Sequence, residues 1–91
     1  MRTGQDLYQK ARKLIPGGTQ FLTKRPEMFL PEQWPAYYSK AKGVEVWDLD
    51  GTKYIDTTQC GAGGPILGYA DSEVDNSVIK AIQSGSQATL N

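Results

Sequence analysis

The spacing of apolar residues changes character several times along the chain. Leu7, Ala11, Leu14 and Ile15 recur at i, i+4, i+7 and i+8, with Gln9, Lys10, Arg12 and Lys13 on the other face, which predicts an amphipathic helix. Thr3-Gly4-Gln5-Asp6 ahead of it has the spacing of a capping box, and Pro16-Gly17-Gly18 stops it. From residue 19 to residue 36 neither a period of 2 nor one of 3.6 persists: Pro26, Pro31 and Pro35 interrupt Phe21, Leu22, Met28, Phe29, Leu30 and Trp34. The expectation there is an apolar loop without regular structure. Loops of that length are usually functional or laid over another surface.

The pattern becomes sharpest in residues 42–67, a hairpin signal followed directly by a glycine-rich turn. Asp50-Gly51 lies between runs rich in Val, Trp, Tyr, Ile and Thr. A two-residue type I′ turn at Asp50-Gly51 needs positive φ at both residues, and this dipeptide supplies it. The implied register sets Leu49 opposite Thr52, Asp48 opposite Lys53, Trp47 opposite Tyr54, Val46 opposite Ile55, Glu45 opposite Asp56 and Val44 opposite Thr57. Glu45 against Asp56 is a like-charge pair, so either the ladder frays there or one carboxylate has a cationic partner elsewhere. Residues 37–39 suit a short strand leading in, giving a small three-stranded antiparallel meander. Ser72-Glu73-Val74-Asp75 repeats the capping-box spacing, Val74, Val78, Ala81 and Ile82 form the next apolar stripe, and Gly85 suits the position after the helix. The fold class is therefore an α+β segment, divided as helix (1–18), apolar loop (19–36), β-meander (37–58), glycine-rich turn (59–70) and helix (71–85).

Composition narrows the chemistry. The chain has 91 residues, enough for one small domain that buries only about 60–65% of its unfolded surface. Ten acidic and ten basic residues balance, so no nucleic-acid attraction is implied. Histidine is absent and cysteine occurs once, which puts zinc sites, Ser-His-Asp triads and histidine general bases out of reach of these residues. The single Cys60 suits a reducing compartment, and no apolar run approaches the roughly 20 residues needed to cross a bilayer, so the expectation is a soluble, cytoplasmic protein without a membrane partner. Cys60 reads as a small buried hydrophobe, since no cation flanks it.

Several motifs fail on inspection. Gly61-Ala62-Gly63 follows a strand and precedes a helix, but the third glycine of a dinucleotide fingerprint would fall on Ile66, and no Gly-Lys-Ser/Thr follows to make a P-loop. What remains is a turn where backbone can approach closely to a ligand or to another segment. Ser39-Lys40-Ala41-Lys42 and Ser77-Val78-Ile79-Lys80 match Ser-x-x-Lys, and Tyr38 and Lys42 match Tyr-x-x-x-Lys, all without their companion motifs. Lys24-Arg25, set among Phe21, Leu22 and Pro26, could hold a carboxylate or phosphate in a partly desolvated place, or could stand solvated.

Three blocks in order carry a resemblance: residues 11–18 (Ala-Arg-Lys-Leu-Ile-Pro-Gly-Gly), Trp47-Asp48-Leu49-Asp50-Gly51-Thr52-Lys53-Tyr54-Ile55-Asp56, and Gly64-Pro65-Ile66-Leu67-Gly68-Tyr69. Together they resemble the N-terminal segment of class III aminotransferases, pyridoxal-phosphate enzymes of fold type I, in the glutamate-1-semialdehyde aminomutase-like branch. The resemblance implies a segment of a longer chain that packs on a large cofactor domain and on a second subunit of a homodimer, with its residues at the substrate entrance. It implies pyridoxal 5'-phosphate as cofactor, small-molecule amino donors and acceptors as partners, and the cofactor-binding lysine downstream of these residues, so that the segment by itself is inactive. Lys24 and Arg25 become candidates for substrate binding, and Gly61, Ala62 and Gly63 for lining the pocket. Lys24 stands where the aminomutases have arginine, Phe21 where they have serine, Ala62 where they have tryptophan and Tyr69 where they have histidine, while Asp71-Ser72 replaces His-Pro. These departures point away from glutamate semialdehyde, towards aminotransferase-like members associated with amino-sugar or surface-polysaccharide synthesis. The alternative to an enzyme segment is a truncated or stand-alone interaction module that acts through the apolar loop.

Overall fold

The computed structural model describes residues 2–58 and 64–85. Helix α1 (Thr3–Leu14) leads through the proline-rich segment into three strands, β1 (Tyr38–Lys42), β2 (Glu45–Asp48) and β3 (Lys53–Ile55), and helix α2 (Ser72–Gln83) follows. The strands form one antiparallel sheet in the order β1-β2-β3. This is the expected α+β arrangement with its meander, although β1 extends three residues further than the pattern suggested.

The register of the second hairpin differs from the expected one by a single residue. Glu45 pairs with Ile55, Val46 with Tyr54 and Trp47 with Lys53, so the loop holds Leu49, Asp50 and Gly51. The cause is the Asp48 side chain, whose Oδ1 accepts from the amides of Asp50 and Thr52, each at 2.9 Å. Gly51 alone takes a positive φ, +84°, whereas a type I′ turn would need Asp50 there as well. The loop is thus the three-residue kind, and a slip of one residue turns every side chain of a strand to the other face. The expected Trp47–Tyr54 pair is lost; Lys40 instead lies over the Trp47 ring at 4.2 Å, and the Tyr54 hydroxyl donates to Asp48 at 3.1 Å. The like-charge conflict disappears too, because Glu45 now pairs with Lys53 at 2.8 Å.

The first hairpin turns at Gly43-Val44, with Lys42 opposite Glu45 and Gly43 at φ +59°. A bulge at Ser39 breaks the ladder, and its hydroxyl donates to the Asp48 carbonyl at 2.9 Å. Gly43 also exchanges both backbone hydrogen bonds with Tyr69, at 2.9 Å each. Gly68 next to it has φ +86°, and a Cβ there would come within 2.9 Å of the Gly43 carbonyl oxygen. The chain entering α2 is therefore held against the tip of the first hairpin.

The helix caps belong to other residues than expected. Thr3 is inside α1 rather than capping it: its amide and hydroxyl both donate to the Asp50 carboxylate, the amide at 3.0 Å. A turn 47 positions away thus caps the helix. In α2 the cap is Asp71, which accepts from the Val74 amide at 3.1 Å, one residue before the expected Ser72. Gly85 does follow α2 in the left-handed conformation, at φ +91°.

The inward face of α1 also departs from the hydrophobic stripe. Gly4 and Tyr8 are buried, whereas Leu7 and Ile15 are nearly half exposed and Leu14 is 82% exposed. The neighbouring backbone explains the choice, since Pro35 comes so near to Gly4 that a side chain is excluded. The proline-rich segment is ordered by single 3₁₀ turns at Leu22–Lys24 and Pro26–Met28, contrary to the expectation of no regular structure. Phe29 and Trp34 stack with centroids 4.5 Å apart.

Among the described residues Tyr8 is the one buried large hydrophobic side chain. Phe21, Leu22, Met28, Phe29, Leu30, and Val74, Val78, Ile79 and Ile82 of α2 all stand about half exposed or more. The radius of gyration, 15.8 Å, exceeds the roughly 12 Å of a compact chain of this length. The apolar faces of both helices and of the loop are present, but these residues do not cover them. No helix among the described residues is long and apolar enough to cross a membrane.

Candidate functional site

A groove of about 180 Å³ lies between α1 and the loop, bounded by Tyr8, Gln9 and Arg12 on one side and Pro26, Glu27 and Trp34 on the other. Helical spacing puts Tyr8 and Arg12 on adjacent turns of one face. Pro26 starts a 3₁₀ turn, so Glu27 projects back towards them. The Tyr8 hydroxyl donates to Glu27 Oε2 at 2.8 Å, and Arg12 Nη1 lies 3.7 Å from Glu27 Oε1. Burial, then the Glu27 hydrogen bond and charge, raise the Tyr8 phenol above its ordinary range. The Glu27 carboxyl is lowered, first by its own backbone amide and then by the Tyr8 hydroxyl. Tyr8 therefore stays a neutral donor and Glu27 an ionised acceptor near neutral pH.

Asp50 is a second ionised carboxylate engaged by the fold. Its carboxyl is lowered chiefly by the Thr3 hydroxyl, with burial opposing and the Thr3 amide adding to the lowering. A carboxyl depressed in the folded state gives stability that is present above its unfolded value and lost as pH falls through the folded one. Acidification below about pH 4 is therefore expected to free the N-terminus of α1 from the hairpin. Amide exchange of the first turn of α1 against pH measures this, and Asp50→Ala should show weak protection at every pH.

Lys24 and Arg25 fall in and directly after the first 3₁₀ turn, and they differ. Lys24 is exposed and its ammonium makes no hydrogen bond or ion pair among the described residues. Arg25 is partly committed: its Nε donates to the Leu22 carbonyl at 3.0 Å and its Nη2 approaches the Met28 sulfur at 3.9 Å. Gly61, Ala62 and Gly63, and Cys60 beside them, lie outside the described residues. The Ser-x-x-Lys and Tyr-x-x-x-Lys pairs do not converge. The Ser39 hydroxyl fills the bulge, Lys42 Nζ donates to the Ala70 carbonyl at 2.6 Å, Tyr38 is exposed, and Ser77 and Lys80 are exposed on α2. The Tyr8–Glu27–Arg12 cluster was not foreseen from sequence, because its partners are 15 to 19 positions apart with no local spacing to mark them.

Pyridoxal phosphate does not fit the groove. No lysine lines it to hold the cofactor, and of its two carboxylates, Glu27 and Glu32, the first already accepts from Tyr8 and faces Arg12. No step through the cofactor is therefore assigned to these residues. No group of three or more metal-ligating side chains occurs among the described residues.

Comparison with known proteins points in one direction. The chain is 38% identical over 78 residues to 3-aminobutyryl-CoA aminotransferase of Cloacimonas acidaminovorans, covering 86% of this chain and 18% of that protein. It is 40% identical over 83 residues to glutamate-1-semialdehyde 2,1-aminomutase of Methanobrevibacter smithii, covering 90% and 18% respectively. An aminopentol aminotransferase of Sphingopyxis macrogoltabida is 35% identical over 71 residues, covering 78% and 16%. The chain thus spans less than a fifth of the length of these relatives. No protein-family model and no solved structure matches it.

Proposed function

We propose, for a chain that belongs by its sequence to the class III aminotransferase and glutamate-1-semialdehyde aminomutase family, that it is the N-terminal segment of a pyridoxal-phosphate-dependent enzyme of fold type I. The enzyme moves an amino group between an amino donor and a keto or aldehyde acceptor. The observation that carries this reading is the identity spread over nine-tenths of the chain, joined to apolar faces that these residues leave open. In it the exposed loop and helix faces rest on the remainder of the protein and on a second subunit, and the cofactor is held by residues beyond these 91. When bound, the cofactor supplies an electron sink for the substrate carbanion. The segment's own share is to wall the entrance and bind substrate, with Gly61, Ala62 and Gly63 lining the pocket. The relatives are named for 3-aminobutyryl-CoA, an aminopentol and glutamate 1-semialdehyde, so the proposal is made for the reaction and not for one acceptor.

Lys24 is the stronger candidate of the two cations for a substrate carboxylate or phosphate, because Arg25 already serves the Leu22 carbonyl. The test of the reading is spectroscopic. The full-length protein should show the absorbance band of bound pyridoxal phosphate, shifting when an amino donor is added; a protein without the band would refute it. Lys24→Ala should keep the band and raise KM for an anionic substrate about tenfold, the usual scale for losing one charge-assisted hydrogen bond. Lys24→Arg should restore most of it.

A further inference from the structure

Residues 18–27 form an arch whose two ends meet at one side chain. At its start Gly18 packs on the Tyr8 ring: a Cβ there would lie 2.9 Å from Tyr8 Cε2 and 3.0 Å from Arg12 Cγ. At its end Glu27 accepts from the Tyr8 hydroxyl at 2.8 Å and faces Arg12 at 3.7 Å. Between the ends the backbone is bonded to itself. The Thr19 hydroxyl donates to the Phe21 carbonyl at 2.7 Å and the Lys24 amide to the same carbonyl at 3.0 Å, while the Met28 amide donates to the Arg25 carbonyl at 2.9 Å. The two 3₁₀ turns share Arg25 as their junction, and Pro26 after it has its φ fixed by its own ring. Lys24 stands three positions before Glu27, so the closure lies at most about 11 Å of chain away. Its ammonium is the uncommitted charge of the arch, since the Arg25 Nε is turned back to the Leu22 carbonyl. Where the arch closes on α1 therefore sets where this cation is presented.

We infer that Tyr8 and Glu27 position Lys24 for substrate by closing the arch of residues 18–27 on α1. Both are positioning residues, acting through the backbone between Glu27 and Lys24. The inference rests on the reading that Lys24 binds a substrate carboxylate or phosphate, and it adds the pair that holds that cation in place. The closing bond is charge-assisted, a phenol donating to a carboxylate, and so is stronger than a bond between neutral groups. Binding groups set on a loosened backbone lose much of their effect, because small misplacements from a reacting substrate are costly.

The test uses the full-length protein, with pyruvate as the anionic acceptor. Tyr8→Phe keeps the ring against Gly18 and deletes the donor to Glu27. Amide exchange in peptides spanning residues 22–29 should accelerate about three- to tenfold, the scale of one hydrogen bond, and KM for pyruvate should rise about threefold with kcat within about twofold and the cofactor band unchanged. Glu27→Gln, which keeps an acceptor without its charge, should move both readouts less. On a Lys24→Ala background Tyr8→Phe should raise KM no further, because residues that act through one contact are not additive. Unchanged exchange in Tyr8→Phe would overturn the closure. Faster exchange with unchanged KM, or an equal rise in KM with and without Lys24, would overturn the positioning role and leave a bond that only stabilises. Lys24→Ala with its band intact and its KM unchanged, or an unmodified protein that holds the band and does not turn over pyruvate, would sink the anion reading of Lys24 and the positioning role with it, while exchange would still judge the closure.

Discussion

Gly4→Ala is expected to push α1 off the end of the apolar loop, even though alanine is the better helix former. In an exposed helix the substitution would gain about 1 kcal/mol from propensity. Here the added Cβ would lie 2.0 Å from the Pro35 carbonyl oxygen and 3.2 Å from its carbon, and both are backbone atoms that no rotamer change can move. Relieving the overlap requires the helix to shift by more than 1 Å, which on the scale of overpacked cores costs about 2–3 kcal/mol. The clash wins by about 1–2 kcal/mol, a 5- to 30-fold change in the opening equilibrium. The same shift would pull Thr3 from Asp50 and the Gln5 amide from the Gln33 carbonyl, now at 3.2 Å. Amide exchange along α1 in the full-length protein should accelerate by that factor. Lys10→Ala, on the exposed face, is the control and should leave exchange unchanged or slower; if Gly4→Ala behaved like it, the close approach would be wrong.

Tyr8→Ala should have the largest effect of any side-chain truncation in the described residues. Tyr8 is 4% exposed, the one buried large hydrophobic side chain among the described residues, and it supports three things at once. Its ring fills the space beside Gly18, where a Cβ would come within 2.9 Å of it, so it seats the turn that ends α1. It floors the groove, and its hydroxyl holds Glu27. Truncating a buried aromatic costs about 3–5 kcal/mol in a full core, and about 2–4 kcal/mol is expected for a groove open on one side. The measurement is tryptic proteolysis of the loop after α1, which should become readily cleavable after Lys24 under native conditions, the Arg25–Pro26 bond being resistant in any case. Tyr8→Phe separates the parts: it keeps the ring and loses the hydrogen bond, so the loop should stay protected while Arg12 and Glu27 lose their third partner. Equal cleavage in both variants would mean that the hydroxyl, and not the ring, holds the loop.

These two expectations come from different depths of the chain's information. Helix α1, its stop at Pro16-Gly17-Gly18, the meander and α2 with Gly85 after it are legible locally, because each depends on the conformational preferences of neighbouring residues. Resemblance to aminotransferases was legible as well, since it rests on ordered blocks of residues that relatives share. The hairpin register was not. Asp50-Gly51 favours a two-residue loop by backbone preference alone, but the Asp48 carboxylate bonds two amides of the turn and selects a loop one residue longer. A side chain two positions upstream outweighed the dipeptide signal, and every cross-strand pair moved with it.

The sequence by itself determined where the helices and the strands of the meander lie, and which proteins the chain is similar to, because short-range periodicity and residue order are properties of the string. Only the tertiary structure decided which face of α1 turns inward, which carboxylate caps it, and that Tyr8, Glu27 and Arg12 meet. Those outcomes depend on Asp50 reaching Thr3 and on Pro35 reaching Gly4, approaches between residues 31 to 47 positions apart. Apolar stripes report that a face wants cover; where the backbone comes close enough to exclude a side chain, or a carboxylate finds two donors, the three-dimensional path of the chain decides which face receives it.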